Sequence, residues 1–472
     1  MLAVTILAGA TAAAASGVPG DSADRVNVPV PEHQNTVLAN GMRLILIPRH
    51  DIPLVAFNLL LRGGARLDPP GRDGTAALAA DLLTYGAGPR DAHAFADAVE
   101  GAGGTLDAVA RGEYIQVQGQ FLSRDSALML QLLSDAVLRP RFEMAEFEKL
   151  RSRRIEELKA TKDSQPEALL GNYGRALLFA GHPYGRPVGG DELTLAHITH
   201  DDIVHYYAAQ TGADRATLVI AGDIDPQQIL KAVTAVFGAW KRAAAPLPEL
   251  AAPAHVTGRR VLLVDAPGSA QTYFWLANVG VPRRFPERAA LNMANMAFGG
   301  SLGSMLNQEL RVKAGLTYDA NSHFARGVVA GEFAISSFTQ TANTGRAIDL
   351  ALATLGKLKQ QGLEQDAIGS ARNYLLGQYP LAFETSADWA VALGDLDVYG
   401  LPESYIGQFG TDLQKVDAPA IRAIIDGVFP SPDNLDIVLI GDGAKIADVA
   451  AKLGPVTRIS LADPQFVPAT IH

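Results

Sequence analysis

The sequence of 472 residues contains no cysteine, so it can form neither a disulfide nor a thiolate zinc site, and it holds no cysteine nucleophile. Acidic residues outnumber lysine and arginine, and the net charge is −10 at pH 7. A chain without a basic excess is poorly suited to nucleic acid, because it has few cations with which to displace counterions from phosphates. The hydrophobic fraction of 48% and the charged fraction of 19% are typical of a globular protein with ample core.

Long apolar runs are also missing, and the N-terminal stretch MLAVTILAGATAAAASG is shorter than the roughly 20 residues that a membrane-spanning helix needs. This stretch resembles the apolar region and small-residue cleavage site of a secretory signal, and Ala13-Ala14-Ala15 fits the A-x-A pattern. We therefore predict that residues 1–25 are a signal-like segment and that the protein is periplasmic or exported. The alternative is a disordered alanine-rich tail.

An internal repeat indicates the architecture. The segments DRATLVIAGD and NLDIVLIGD are both apolar runs closed by Gly-Asp, and their glycines, Gly222 and Gly441, lie 219 positions apart. Thr199 and Asp417 precede these glycines by 23 and 24 residues. Both are good helix N-caps, because their side-chain oxygens accept the first free N–H groups of a helix. The chain therefore looks like two copies of one α/β unit that face each other.

A linker separates the two copies. Residues 242–258, RAAAPLPELAAPAHVTG, are rich in proline and alanine and have no hydrophobic periodicity. We predict an N-terminal domain over residues 26–241 and a C-terminal domain over residues 259–472. Strands are grouped with helices in each half without strict βαβ alternation, so the expected fold class is α+β, with two homologous two-layer domains.

The segment LNQELRVKAGLTYDANSHF, residues 306–324, carries a family resemblance. Together with LANGMRLILIPRHDIP, His182-Pro183-Tyr184-Gly185 and FGGSLGSMLNQEL, it resembles the pitrilysin, insulinase and mitochondrial processing peptidase family of inverted zincins. The second half of that family carries an Arg and a Tyr in a stretch similar to R-x-x-x-G-L-x-Y, and these positions are Arg311 and Tyr318 here. The resemblance covers nearly the whole chain after residue 35 and implies that the two domains form half of a clamshell.

The family's zinc site is degenerate in this chain. The family motif is H-x-x-E-H on a helix of the first half, where two His bind zinc and the Glu activates its water. The resemblance places Ala77 and Asp81 at the His positions, Ala80 at the general base and Glu157 at the distal ligand. Alanine has no lone pair for zinc, and two carboxylates fall short of the usual three or four protein ligands. We predict no metal in this chain.

Glu157 also has a purely structural interpretation. It lies in a run of alternating charges, with Arg153 four residues earlier, which is typical of a solvated helix face. A metal enzyme that uses Asp81, Glu157 and a nearby His is the alternative, and stoichiometric zinc in the purified chain would support it.

The resemblance implies a non-catalytic subunit of a heterodimeric zinc peptidase. A partner subunit with H-x-x-E-H would hold the zinc, and this chain would contribute Arg311 and Tyr318, with Gly299 and Gly300 forming a substrate-facing helix entry. The expected substrates are unfolded peptides, and neither nucleic acid nor a membrane span is expected. Other interpretations stay open: Arg311 as a helix-end cap or ion-pair residue, Tyr318 as a half-buried strand aromatic, and the chain as a peptide-binding or structural scaffold.

Overall fold

The computed structural model describes residues 27–466, so the predicted signal-like segment 1–25 lies outside the described residues. Each half of the chain forms one six-stranded mixed sheet. The first sheet contains β1 (Gln34–Val37), β2 (Arg43–Pro48), β3 (Leu54–Arg62), β4 (Thr105–Ala110), β5 (Tyr114–Leu122) and β6 (Ala216–Gly222). The second sheet contains β7 (Arg259–Asp265), β8 (Gln271–Val279), β9 (Ala320–Phe324), β10 (Glu332–Gln340), β11 (Leu435–Gly441) and β12 (Val456–Ser460).

The two sheets have the same topology over five strands. Their orders are β1-β2-β6-β3-β5-β4 and β12-β7-β11-β8-β10-β9. The strands that end in Gly222 and Gly441 occupy the same place, each parallel to the first long strand of its half. The sixth strand differs, because β1 precedes β2 and pairs with it antiparallel, whereas β12 follows at the end of the chain and pairs parallel with β7. The expected duplication and the α+β class are confirmed.

Helices connect the strands in both halves. Those of the first half are α1 (Thr75–Leu82), α2 (Ala92–Gly101), α3 (Ser126–Leu138), α4 (Met144–Ser164), α5 (Leu170–Leu178), α6 (Glu192–His197), α7 (His200–Gln210) and α8 (Pro226–Phe237). Those of the second half are α9 (Arg288–Asn295), α10 (Thr344–Gln361), α11 (Gln365–Gln378), α12 (Ser386–Tyr399), α13 (Ser404–Gly407), α14 (Phe409–Lys415), α15 (Ala418–Gly427) and α16 (Gly443–Leu453). Two π-helices, Met296–Gly300 and Asn307–Lys313, follow α9. Over residues 27–466, every helix is too short or too polar to cross a membrane.

The predicted N-caps begin equivalent helices. The Thr199 hydroxyl accepts a hydrogen bond from the Asp202 N–H at the start of α7, and the Asp417 carboxylate accepts one from the Ala420 N–H at the start of α15. Each helix leads into the central strand of its sheet, which is fully buried. The matched spacing in the sequence therefore reflects a matched helix–strand unit.

One helix of each half packs against the sheet of the other half. One face of each sheet packs against helices of its own half. The other face of the first sheet is covered by α12, with Trp389 and Leu393 against Ile47 and Val219. The other face of the second sheet is covered by α5 in the same way, as part of a buried cluster that includes Tyr173, Leu177, Leu262, Trp275 and Val438. We call α5 and α12 the exchanged helices.

A glycine lies at the contact point of each exchanged helix. A Cβ at Gly174 of α5 would lie 2.7 Å from the Trp275 ring, and a Cβ at Gly394 of α12 would lie 2.8 Å from Asn58 Nδ2 and from Leu60. The two glycines are 220 positions apart, close to the 219-residue offset of the repeat. The exchange is therefore reciprocal and uses equivalent positions.

The His182-Pro183-Tyr184-Gly185 loop links the halves and the linker. The Tyr184 hydroxyl donates to the Glu113 carboxylate of the first half, and Glu113 Oε1 also accepts from the Val328 N–H of the second half at 2.7 Å. His182 Nδ1 accepts from the Tyr184 N–H at 3.1 Å, so Nε2 is the donor to the Ala251 carbonyl at 2.9 Å. This loop therefore ties the first half to the linker and, through Glu113, to the second half.

Candidate functional site

Helix α1 carries Ala77, Ala80 and Asp81, the positions that the sequence resemblance assigns to the family's zinc motif. The helix begins after Gly74, and the Asp68 carboxyl accepts hydrogen bonds at 2.8 Å from both the Gly74 and the Ala76 N–H groups. Burial raises the pKa of Asp68 to about 8, against the opposing effect of these hydrogen bonds. Ala80 is fully buried in the first core, and Ala77 is only partly exposed. Asp81 is therefore the one polar side chain among the three motif positions of this helix.

A guanidinium group lies between the two carboxylates of the degenerate site. Arg154 of α4 donates to Asp81 Oδ2 from Nη2 at 2.5 Å and from Nε at 3.1 Å. Its Nη1 is 3.9 Å from Glu157 Oε2. Burial raises the pKa of Asp81, while the hydrogen bond and charge of Arg154 oppose that shift. The Arg154 guanidinium is thus paired with Asp81 and lies near the exposed Glu157.

These residues do not fit a zinc ion. Zinc sites need three or four N, S or O ligands at about 2.0–2.3 Å, whereas alanine stands at two of the family's positions and Arg154 bonds to the nearest carboxylate. Within residues 27–466, no group of three or more His, Cys, Asp or Glu is arranged to hold a metal.

Glu157 lies on a solvated face of α4, as the charge run predicts. Its side chain is 54% exposed, and its Oε1 lies 3.5 Å from Arg153 Nε, four residues earlier. Arg153 also donates to the Tyr85 hydroxyl at 2.8 Å. The role of Arg154 was missed by sequence reasoning, although a basic residue one turn before the distal Glu position was the available signal.

Arg311 and Tyr318 meet at the surface of the second half. Arg311 lies in the π-helix Asn307–Lys313, and its guanidinium carbon is 4.6 Å from the centroid of the Tyr318 ring. A cation at this distance from an aromatic face is attracted by the ring quadrupole. Tyr318 is 72% exposed. Arg311 is only partly buried, so both side chains of the pair are accessible to a ligand.

Tyr318 lies before strand β9 and not within a strand. The strand starts at Ala320, because Thr317 forms a local turn instead: its hydroxyl accepts from the Asp319 N–H at 3.2 Å and donates to the Asp319 carbonyl at 2.8 Å. The interpretation of Tyr318 as a half-buried strand aromatic is therefore wrong.

The backbone on either side of Tyr318 is held by hydrogen bonds from strand β10. The Thr339 hydroxyl donates to the Leu316 carbonyl at 2.7 Å, and the Ser337 hydroxyl donates to the Asp319 carbonyl at 2.7 Å. Both donors belong to strand β10. The ring of Tyr318 is thus presented from a rigid support, which is the arrangement that a preorganised binding group requires.

Gly299 and Gly300 occupy different environments at the end of the π-helix Met296–Gly300. Gly299 is buried, and a Cβ there would lie 2.4 Å from Ser322 Oγ and 2.7 Å from Leu306 Cδ1. Gly300 is exposed. Close packing against β9 explains the glycine at position 299, and a substrate contact at either position stays a prediction.

Two family models cover most of the described chain. Residues 44–192 match the model described as Insulinase (Peptidase family M16), and residues 197–375 match the model described as Peptidase M16 inactive domain. The chain belongs to the insulinase family, peptidase family M16. The resemblance seen in the sequence is confirmed.

Curated M16 relatives span nearly the same length. The chain is 25% identical over 391 residues to an uncharacterized zinc protease of Mycobacterium leprae, covering 82% of this chain and 87% of that protein. It is 24% identical over 388 residues to a protein of Helicobacter pylori described as a non-peptidase homolog, covering 80% of this chain and 86% of that protein. The family therefore contains relatives that are described as proteases and one that is described as lacking peptidase activity.

Solved structures share the fold of this M16 chain. A peptidase M16 inactive domain from Pseudomonas fluorescens superposes with a TM-score of 0.81 at 23% identity, covering 87% of this chain and 98% of that one. A protease from Helicobacter pylori superposes with a TM-score of 0.79 at 19% identity, covering 87% and 99%. At these identities the likeness establishes the architecture.

Proposed function

We propose that this M16 chain is the non-catalytic subunit of a heterodimeric zinc metalloendopeptidase. One observation carries the proposal: a rigidly supported, exposed Arg311–Tyr318 pair coexists with a zinc position that Arg154 neutralises. Such a chain lacks the means to activate water but keeps groups that can bind a peptide. The zinc would be held by a partner subunit with H-x-x-E-H.

The chemistry of peptide hydrolysis gives each group a role. Attack on the peptide carbonyl builds negative charge on its oxygen, and the Tyr318 hydroxyl can donate to that oxyanion. The Arg311 guanidinium can hold a neighbouring substrate carbonyl with two parallel N–H donors. Both groups can act on a zinc site in another chain, because neither has to be attached to the metal-binding helix.

The proposed function also includes a class of substrate and a cellular location. The substrates would be unfolded peptides that add a strand to a sheet edge, a mode of binding that depends on the backbone more than on the side chains. Strand β4 is an edge strand of the first sheet and would be the place for such pairing. The signal-like N-terminal sequence supports a periplasmic or exported protein.

A scaffold role is the second candidate. The stacking of Arg311 on the Tyr318 ring favours it, because this contact stabilises the two side chains against each other without a ligand. In that case the chain would bind peptide or stabilise the partner without taking part in catalysis.

Hydrolysis of a quenched-fluorescent peptide tests the proposal. The chain, an H-x-x-E-H homologue from the same organism, and the mixture would be assayed separately, and then with Tyr318→Phe or Arg311→Lys in this chain. We expect activity only in the mixture, and a loss of about 100- to 1,000-fold in kcat for Tyr318→Phe, which is the usual effect of removing one oxyanion donor. Tyr374→Phe, at a partly exposed tyrosine of α11, is the matched control and should leave the rate unchanged.

The other outcomes are equally informative. Chelator-sensitive hydrolysis by this chain alone would overturn the assignment as non-catalytic. Activity of the mixture that is insensitive to both substitutions would favour the scaffold role.

A further inference from the structure

A cavity of about 420 Å³ lies between the two halves. The first half contributes the 3₁₀ helix Gly64–Leu67 and the β4–β5 turn to its walls. The second half contributes the turn between β9 and β10. The volume is within the range of small-molecule sites, about 300–1,000 Å³. It is separate from both the Arg154 cluster and the Arg311–Tyr318 pair.

The lining of this cavity is strongly cationic, although the whole chain is acidic. Five arginines and two glutamates line it. The glutamates are already engaged: Glu113 accepts from Tyr184 and from the Val328 N–H, and Glu332 lies 3.7 Å from Arg175. Five arginines against two glutamates leave the lining with an excess of three positive charges.

Two of the five arginines have partners in the protein. Arg175 is the one that pairs with Glu332, and Arg186 bonds to Asp73 at 2.5 Å and to two backbone carbonyls. Among the described residues, the other three make no ion pair and donate no side-chain hydrogen bond; these are Arg66, Arg111 and Arg326.

Two of these three guanidinium groups are also partly desolvated. Arg66 Nε and Arg326 Nη1 are buried without a hydrogen-bond partner in the described chain. Burial lowers the pKa of Arg326, and the nearby charges of Arg283 and Arg288 act in the same direction. A buried N–H of a charged group that lacks an acceptor costs free energy, and an anion beside the same guanidinium would offset part of that cost through its charge.

We propose that the cavity between the halves binds a small anion that carries phosphate or carboxylate groups, held by Arg66, Arg111 and Arg326. Arginine donates in a planar fork that matches both kinds of oxygen, and charge-assisted hydrogen bonds of this type are short and strong. Because the three arginines come from both halves, an anion in this place bridges the first half to the β9–β10 turn. The inference stands independently of the proposed peptidase partnership.

Calorimetric titration of the full chain with inorganic phosphate, and separately with citrate, tests the site. Sodium chloride keeps the ionic strength constant, so that only specific binding is measured. We expect saturable binding of at least one probe, and comparison of the two shows whether phosphate or carboxylate oxygens are preferred. Arg326→Gln and Arg66→Gln should each weaken binding at least about tenfold, the size expected for losing a hydrogen bond to a charged group.

Matched variants separate this site from surface charge. Arg124→Gln removes an arginine that is 79% exposed and does not line the cavity, so binding should be unchanged. If circular dichroism shows that Arg326→Gln or Arg66→Gln does not fold, the Arg111→Gln variant is measured in its place. The proposal is wrong if neither probe binds with saturation, or if the cavity variants and Arg124→Gln bind with equal affinity.

Discussion

At the residue scale, Arg154 of α4 pairs with the largely buried carboxylate of Asp81 in α1. Asp81 has only 17% of its side chain exposed, and Arg154 bonds to it through two nitrogens. Removing one partner of such a pair leaves a partly desolvated charge, whereas replacing both with apolar groups is far less costly. The pair is therefore best tested by single and double replacement.

We predict that Arg154→Met lowers the free energy of unfolding at pH 7 by about 1–2 kcal/mol, since the partial exposure of the arginine screens the interaction. Urea unfolding followed by circular dichroism measures this. The double variant Arg154→Met/Asp81→Leu should recover most of the loss. Lys149→Met, at a 72% exposed side chain of the same helix, is the control and should change stability by less than about 0.5 kcal/mol. Equal losses in the single and double variants would contradict the prediction.

At the element scale, the exchanged helices α5 and α12 depend on a glycine at the point of contact. Gly174 faces the Trp275 ring and Gly394 faces Asn58 and Leu60, all within buried surfaces. Glycine costs about 0.5–1 kcal/mol in a helix interior relative to alanine, so its presence at both equivalent places has a packing reason.

Gly174→Ala and Gly394→Ala should each lower the free energy of unfolding by about 1–3 kcal/mol, because the added methyl group overpacks the contact with the sheet. Gly369→Ala in α11 is the matched control: a Cβ there meets no atom within 4 Å, and the change should stabilise by about 0.5–1 kcal/mol. Thermal and urea unfolding of the three variants provide the comparison. If all three changes stabilise the chain, the close contacts do not constrain these positions.

The sequence allowed the central strands, the caps at Thr199 and Asp417 and the duplication to be predicted, since each leaves a local pattern. Strands β1 and β12 were missed because they are short edge strands with mostly exposed residues and no apolar alternation. The exchange of helices was also missed, since an amphipathic pattern shows that a face is buried but does not show against which sheet. Arg154 joins Asp81 across two helices, and spacing along the chain does not reveal such a contact.

At the scale of the whole molecule, the exchange makes the two halves depend on each other. The first sheet would expose Ile47 and Val219 without α12, and the second would expose Trp275 and Val438 without α5. Polar contacts add to this dependence, because Asp397 of α12 pairs with Arg43 and Arg62 of the first sheet at 2.7 Å.

We therefore predict that residues 26–241 and residues 259–472, produced separately, lack the cooperative thermal transition of the full chain, because each leaves an apolar sheet face in water. Produced together, they should co-elute in size-exclusion chromatography and unfold as one unit. A full chain cleaved once within 242–258 after folding is the control and should stay associated. A fragment that melts cooperatively by itself near the Tm of the full chain would refute the prediction.

Reciprocal lending of equivalent elements is also the geometry of a domain-swapped dimer, in which two identical chains exchange the same segment. Here both copies lie on one chain, so the second copy is always present at a high effective concentration set by the linker. A single copy of the repeat, produced by itself, would cover its sheet only by dimerising with a second copy. Its folding would therefore vary with protein concentration. Joining the two copies in one chain removes that dependence, and the copies differ in sequence, as the Arg311–Tyr318 contact in the second half illustrates.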